Sequence, residues 1–159
     1  MKRASKDEKG PALEELAKFL LDGCKLLKFE QRDYDHETGE IDLIYYVRAL
    51  PGTYFQEWSS WLVVECKNWA SSVGVEQIDH FGAQIKRGGQ QVGLLFAVPG
   101  ISGDRRHGVD GRAAIRWWRD SMDCRILGIN ENELDQLPDN RKFYSRLHEL
   151  DLAAVYPPK

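Results

Sequence analysis

Three ionisable residues stand where two apolar segments end, and their types suit metal-dependent chemistry. The apolar residues 62–64 are followed by Glu65, Cys66 and Lys67, and an earlier apolar segment is interrupted by Asp42. Side chains alternate between the two faces of a strand, so we expect Glu65 and Lys67 to share one face and Cys66 to point to the other. Charged groups at the end of a buried strand are costly unless they are paired or used.

Two carboxylates and one amine can supply what hydrolysis of a phosphodiester needs: a bound hard cation, a deprotonated water and stabilisation of charge at phosphorus. Mg²⁺ is held in proteins by one or two carboxylates together with water, a role that Asp42 and Glu65 could fill. The backbone carbonyl of Cys66 could supply a further ligand, and Mn²⁺ could replace Mg²⁺. Lys67 would position or deprotonate the attacking water and stabilise negative charge at phosphorus. The alternative interpretation is a structural ion pair at the strand ends.

The spacing of these residues resembles a known nuclease superfamily. Asp42, 22 intervening residues and then Glu65, Cys66 and Lys67 resemble the PD-(D/E)xK restriction-endonuclease-like pattern, although Ile41 stands where that pattern has proline. The segments GEIDLI and VVECKNW resemble its Mrr-type branch in particular, and the resemblance covers roughly residues 11–130. It implies that Asp42, Glu65 and Lys67 are catalytic, that Mg²⁺ is the cofactor, and that DNA is cut to leave 5′-phosphate and 3′-hydroxyl ends.

The same resemblance extends to two helices that flank the strands. Its early helical glutamate corresponds to Glu14, with Glu15 as the alternative, and its later polar helix residue corresponds to Gln77. The competing interpretations are a surface residue that complements the helix dipole for Glu14 and an exposed helix residue for Gln77. Cys66 is expected to be a packed thiol rather than a nucleophile, because it points away from Glu65 and Lys67.

The hydrophobic spacing predicts an α/β fold with a mixed central sheet flanked by helices, and the resemblance implies a restriction-endonuclease-like core. A flexible tail is expected over residues 1–10 and a single nuclease domain over residues 11–159. We predict helices over 11–23, 75–86, 109–121 and 141–152, a short helix from a cap at Asn130 to 137, and strands over 26–34, 40–47, 58–68, 91–98 and 124–129.

Nucleic-acid binding would require a local basic patch, because the formal net charge is −3. The candidates are two residues just past the Glu-Cys-Lys segment and a group of basic residues on and around a glycine-rich loop over residues 99–108. They are Asn68, Trp69, Lys86, Arg87, Arg105, Arg106 and Arg112. A solvated charged surface is the alternative for the basic residues.

The length and composition narrow the class of protein. A chain of 159 residues with 42% hydrophobic residues is expected to form one globular domain. Its three cysteines lack metal-ligand spacing and no apolar run is long enough for a membrane span, which predicts a reduced, cytoplasmic protein without membrane contact.

These observations favour a metal-dependent DNA endonuclease, and the resemblance implies a role in defence against foreign DNA. The alternatives are a Holliday-junction-type repair nuclease, an RNA nuclease, and a catalytically silent DNA-binding module of the same fold. A homodimer would supply one site for each strand of a duplex.

Overall fold

The computed structural model describes residues 6–103, 110–137 and 139–158, and the side chains from residue 10 onward within them. The helices in these ranges are α1 (Lys6–Asp22), α2 (Val75–Arg87), α3 (Gly111–Met122), α4 (Glu131–Asp135) and α5 (Phe143–Val155), with 3₁₀ turns at Tyr54–Glu57 and Asn140–Lys142. The strands are β1 (Leu27–His36), β2 (Gly39–Val47), β3 (Trp61–Lys67), β4 (Val92–Ala97) and β5 (Arg125–Ile129).

The strands of the described residues form one five-stranded sheet in the order β1-β2-β3-β4-β5. The pairs β1–β2 and β2–β3 are antiparallel, whereas β3–β4 and β4–β5 are parallel. Parallel neighbours need a crossover, and α2 and α3 provide the two crossovers. The predicted mixed α/β fold is therefore confirmed. Because β3, β4 and β5 run in one direction, their carboxyl ends lie at one edge of the sheet.

Helices cover both faces of the sheet, and each face has its own apolar core. On one face α1 and α5 pack on the strands through residues such as Leu21 and Phe143. On the other face α2 and α3 pack through residues such as Phe81 and Trp118. The inner strand β4 is buried along its whole length, as expected for a strand with helices on both sides.

Gly82 lets the two crossover helices approach each other closely. A Cβ atom at this position would lie 2.4 Å from Cδ2 of Trp118, so the indole occupies the space that any larger residue would need. The indole Nε1–H of Trp118 also donates to Oδ1 of Asp79 on α2 at 2.8 Å. Helix α3, whose carboxyl-terminal half carries Trp118, is thereby fixed against α2.

Several predicted element boundaries differ from the structure, among them the starts of α1 and β3, and one predicted cap is confirmed. Helix α1 begins at Lys6 and contains Pro11, so residues 6–10 of the expected tail are helical. Proline removes one intrahelical hydrogen bond but does not end this helix, which is why it was a poor marker of the first turn. Strand β3 begins at Trp61 rather than at residue 58. Asn130 caps α4 as predicted, because its Oδ1 accepts from the N–H of Glu133 at 3.1 Å.

The remaining expectations from composition concern cysteines and membranes. Cys24 and Cys124 are free and buried, and Cys66 is a free, half-buried thiol. Cys66 packs against the core beneath α1 and α5, as expected for a packed thiol. Within the described ranges, none of the helices combines the length and the apolar character that crossing a membrane requires.

Candidate active site

The register between β2 and β3 brings Asp42 beside Glu65. Leu43 pairs with Val64 in the antiparallel ladder, and Asp42 and Glu65 are the next residues on their strands. The backbone N–H of Cys66 donates to Oδ2 of Asp42 at 2.6 Å, which attaches the carboxylate of one strand to the backbone of the other. Two carboxylates separated by 22 residues in sequence therefore meet at the end of the ladder.

Lys67 forms an ion pair with Glu65 on the same face of β3. Its Nζ contacts Oε1 of Glu65, as the alternation of side chains along a strand predicts. Its Nζ also lies 5.2 Å from the centre of the Trp69 ring, a distance typical of a cation–π contact. The ammonium is thus held between a carboxylate and an exposed indole at the carboxyl end of β3.

Glu65 is the most deeply buried member of the group. The residue is 6% exposed, and its Oε2 is buried without a hydrogen-bond partner among the described residues. An unsatisfied buried carboxylate oxygen is costly, and a bound cation would satisfy it. Oε2 of Glu133 is buried in the same way although its Oε1 pairs with Arg146, so the oxygen of Glu65 is informative only together with the neighbouring carboxylate of Asp42. This orphaned oxygen is the observation that fits a bound cation.

Burial and mutual repulsion keep protons on these carboxylates to unusually high pH. Burial, and then the charge of Glu65, raise the pKa of Asp42 to about 6, although the N–H of Cys66 and the ammonium of Lys67 act in the opposite direction. Burial also raises the pKa of Glu65 against the lowering effect of Lys67. A divalent cation would offset both effects, because it favours the ionised forms.

Helix α1 contributes Glu14 to the same electrostatic environment. Burial, and then the charges of Asp42 and Asp33, raise the pKa of Glu14, so this carboxyl lies within electrostatic reach of the Asp42–Glu65 pair. Arg32 on β1 holds the helix there: its Nε lies 3.8 Å from Oε2 of Glu14, and its Nη2 lies 2.6 Å from Oε1 of Glu15. Sequence reasoning missed Arg32, because no motif marks it and only the sheet register places it opposite Leu43.

The donors present suit a hard cation that keeps most of its water. No group of three or more His, Cys, Asp or Glu side chains in the described part of the chain is arranged to hold a metal ion. Asp42 and Glu65 supply two carboxylates, one oxygen of which is already bonded to the N–H of Cys66. Mg²⁺ requires only one or two protein carboxylates, whereas a structural zinc site needs four protein ligands. The residues therefore fit Mg²⁺ or Mn²⁺ and do not fit structural zinc.

The other predicted site residues lie at different distances from this group. Oε1 of Gln77 accepts from the N–H of Gly74 at 3.1 Å, which engages its side chain at the start of α2. Lys86 and Arg87 occupy the last turn of α2. A crossover helix runs antiparallel to its strands, so α2 begins near the end of β3 that carries Lys67 and ends near the opposite edge of the sheet. Arg87 lies about 18 Å along the helix axis from Val75, the first residue of α2.

Of the remaining nucleic-acid-binding candidates, three lie at the sheet edge that carries Lys67 and two lie outside the described residues. Trp69 is 40% exposed beside Lys67, and Asn68 lies between them in sequence and is half-buried. Arg112 is exposed in the first turn of α3, near the carboxyl end of β4. Arg105 and Arg106 lie outside the described residues. The structure therefore brings Trp69, Asn68 and Arg112 to the edge that carries Lys67.

Comparison with known proteins found little sequence similarity. No protein-family model matches the chain, and no curated protein matches it. One solved structure, the MspJI restriction endonuclease in complex with a 27-mer oligonucleotide, aligns with 99% of this chain at 18% identity and a TM-score of 0.37. The chain spans 37% of the length of that protein.

Proposed function

We propose that this protein is a metal-dependent nuclease that hydrolyses phosphodiester bonds in DNA. The observation that carries the proposal is the meeting of Asp42, Glu65 and Lys67 at the end of the β2–β3 ladder, with one oxygen of Glu65 buried and unpartnered. A structural ion pair between Glu65 and Lys67 would not require the second carboxylate of Asp42, which lies opposite Glu65 and has its pKa raised by the charge of Glu65.

Each residue has a role that follows from its position. Asp42, Glu65 and the carbonyl of Cys66 would hold Mg²⁺, which when bound supplies a Lewis acid beside the phosphate. The N–H of Cys66 orients the Asp42 carboxylate by donating to its Oδ2. Lys67, held between Glu65 and the ring of Trp69, is placed to stabilise negative charge on the phosphoryl oxygens and to orient the attacking water.

The finer parts of the proposal rest on the sequence resemblance. The GEIDLI and VVECKNW segments support an Mrr-type endonuclease that acts on foreign DNA in the cytoplasm. Asn68, Trp69 and Arg112 would contact the DNA backbone from the edge of the sheet that carries Lys67. A homodimer would place one site on each strand of a duplex, which is the simplest route to a double-strand cut.

A cleavage assay with matched variants tests the proposal. Supercoiled plasmid, linear duplex, branched DNA and RNA would each be incubated with Mg²⁺, Mn²⁺ or EDTA. We expect metal-dependent cleavage by the wild-type protein, and its loss in Asp42→Asn and Lys67→Met. The control variants Asp135→Asn and Lys25→Met remove the same charges at exposed positions and should cleave normally. Cleavage that persists in EDTA or in both site variants would overturn the proposal.

A further inference from the structure

A groove lies along β5 between α3 and the end of α5, and we call it the arginine groove. Its volume is about 510 Å³, which is within the range of small-molecule sites. Its lining includes Arg112 and Arg116 from α3, the apolar residues Ile101 and Ile115, and Ala153 from α5. The groove therefore combines a cationic side with an apolar wall.

The groove reaches the strand that neighbours the candidate active site. Ala97, which lines the groove, pairs with Lys67 in the parallel ladder between β4 and β3. Adjacent strands are about 4.8 Å apart, so β5 lies about 10 Å from β3 across the sheet. Val63 packs in the core beneath α2 and α3, and side chains two residues apart share a face. Glu65 and Lys67 thus point to the sheet face that carries Arg112 and Arg116.

Two of the four arginines that line the groove support the fold. Arg119 donates to the carbonyl of Ala154 at 2.9 Å, and Arg125 pairs with Asp151 at 2.5 Å. Arg112 and Arg116 are four residues apart on α3 and therefore lie on the same side of that helix. Among the described residues, neither guanidinium group has an ion pair or a side-chain hydrogen bond. The nearby Asp120, whose pKa the charge of Arg116 helps to lower, is bonded to Arg119 instead. Arg112 and Arg116 form a compact cationic pair next to the apolar wall.

We propose that the arginine groove binds a single unpaired nucleotide of the strand that passes the Asp42–Glu65–Lys67 site. The phosphate would lie on Arg112 and Arg116, and the base would lie on the apolar wall formed by Ile101 and Ile115. The inference rests on the proposed nuclease function and adds a substrate class to it. A base that is stacked in a duplex does not reach such a pocket, so single strands, bulges and frayed ends are the favoured substrates.

An acidic peptide is the competing occupant, because β5 is an edge strand to which an extended peptide could add. Two features favour the nucleotide. The cationic pair shares both the sheet face and the strand edge with the candidate catalytic residues, which a peptide site would not require. The pair also lies beside the apolar wall formed by Ile101 and Ile115, a surface that suits the face of a base.

Binding measured without catalysis separates these possibilities. Fluorescence anisotropy in EDTA would use a labelled single-stranded DNA, a blunt duplex, a duplex with a one-nucleotide bulge, and a polyglutamate peptide. We expect Arg112→Ala/Arg116→Ala to weaken binding of the single strand and the bulged duplex by about tenfold or more, because charge-assisted contacts are lost. The slope of log K against log salt concentration should become shallower by about 1, because one phosphate contact is lost. Binding of the blunt duplex should weaken less, because it loses only the backbone contact of Arg112. The control Arg48→Ala/Arg141→Ala removes the same charge at exposed positions and should bind as the wild type does.

A second variant fills the groove without altering its charge. Ala153 is half-buried on α5, and Ala153→Trp should weaken binding of the single strand while leaving the blunt duplex unaffected. Circular dichroism melts would establish that each variant is folded.

The outcomes distinguish the groove from the nuclease function. Equal weakening of all DNA forms, or loss of peptide binding alone in Ala153→Trp, would overturn the nucleotide assignment. If the wild-type protein cleaves DNA but neither groove variant changes its binding, the groove inference alone fails. If the wild-type protein neither binds nor cleaves any nucleic acid, the proposed function fails with it.

Discussion

The backbone N–H of Cys66 donates to Oδ2 of Asp42 at 2.6 Å, and this bond joins β2 to β3 at the point where their charged residues begin. It fixes one oxygen of Asp42 within electrostatic reach of Glu65. Since the donor is a backbone group, proline is the one replacement of Cys66 that would remove it. The geometry of the candidate site is therefore built into the strand pairing rather than into flexible side chains.

The buried carboxyl of Asp42 should destabilise the fold at neutral pH. Its pKa is raised from 3.8 to about 6, so between these values the folded protein binds more protons than the unfolded chain and stability falls as pH rises. The shift corresponds to about 3 kcal/mol, and because the side chain is only partly buried we expect about 2 kcal/mol. Asp42→Asn should therefore be more stable than the wild type at pH 7 by about that amount, measured by urea unfolding.

The difference between Asp42→Asn and the wild-type protein should vanish below about pH 3, where the Asp42 carboxyl is protonated in both the folded and unfolded states. Asparagine retains an oxygen that can accept from the N–H of Cys66, so the strand contact is preserved. A variant that is less stable than the wild type at pH 7 would contradict this account.

The affinity of the site for a divalent cation should depend on pH, with a midpoint at the pKa of Asp42. A metal ligand must be ionised, so protons compete with Mg²⁺ or Mn²⁺ wherever the carboxyl of Asp42 is protonated. Affinity should be nearly constant above the pKa of about 6 and should fall by about tenfold for each pH unit below it if one proton is displaced. Calorimetric titration with Mn²⁺ between pH 5 and pH 8 measures this directly. Weak binding that does not vary with pH, equal to that of Asp42→Asn, would argue against Asp42 as a ligand.

Removing the ammonium of Lys67 should leave Glu65 as an uncompensated buried charge. We expect Lys67→Met to lower the free energy of unfolding by about 3 kcal/mol at pH 8, the cost typical of breaking a buried ion pair. The double variant Glu65→Gln/Lys67→Met should recover most of this loss but no nuclease activity. Unfolding in urea measures the first effect, and plasmid cleavage measures the second.

A surface ion pair with the same spacing in sequence provides the control for the Lys67→Met measurement. Lys28 and Glu30 lie 3.7 Å apart on β1, with both side chains largely exposed. Exposed pairs contribute little, so Lys28→Met should change stability by less than about 0.5 kcal/mol. If Lys28→Met and Lys67→Met lowered the free energy of unfolding equally, burial would not determine how much each ion pair contributes to stability.

Gly82→Ala should destabilise the protein although alanine is the better helix former. The added Cβ would lie 2.4 Å from Cδ2 of Trp118, and the backbone of α2 must then move away from α3. We expect a loss of about 1–3 kcal/mol, the range typical of overpacking, together with a change in Trp118 fluorescence. The neighbouring Ala83→Gly is exposed and should cost only about 1 kcal/mol through helix propensity. A more stable Gly82→Ala variant would show that the helices can separate without cost.

The sequence by itself determined the order of elements and the identity of the charged residues. Period-two and helical spacing placed β2, β3 and α2 correctly, because local hydrophobic patterns reflect which face of an element is buried. Alternation along β3 was sufficient to pair Lys67 with Glu65, since both residues belong to one strand. These are local relationships, and they do not require knowledge of the neighbouring elements.

Only the tertiary structure decided which distant residues meet. The contact between Asp42 and Cys66 depends on the register of β2 against β3, and the position of Arg32 beside Glu14 depends on the packing of α1 on β1. The sequence grouped Lys86 with Arg112, but α2 and α3 place them at different edges of the sheet. The positions of basic residues in the sequence do not show where those residues lie in space. The direction of each strand and helix determines the edge of the sheet at which a side chain lies.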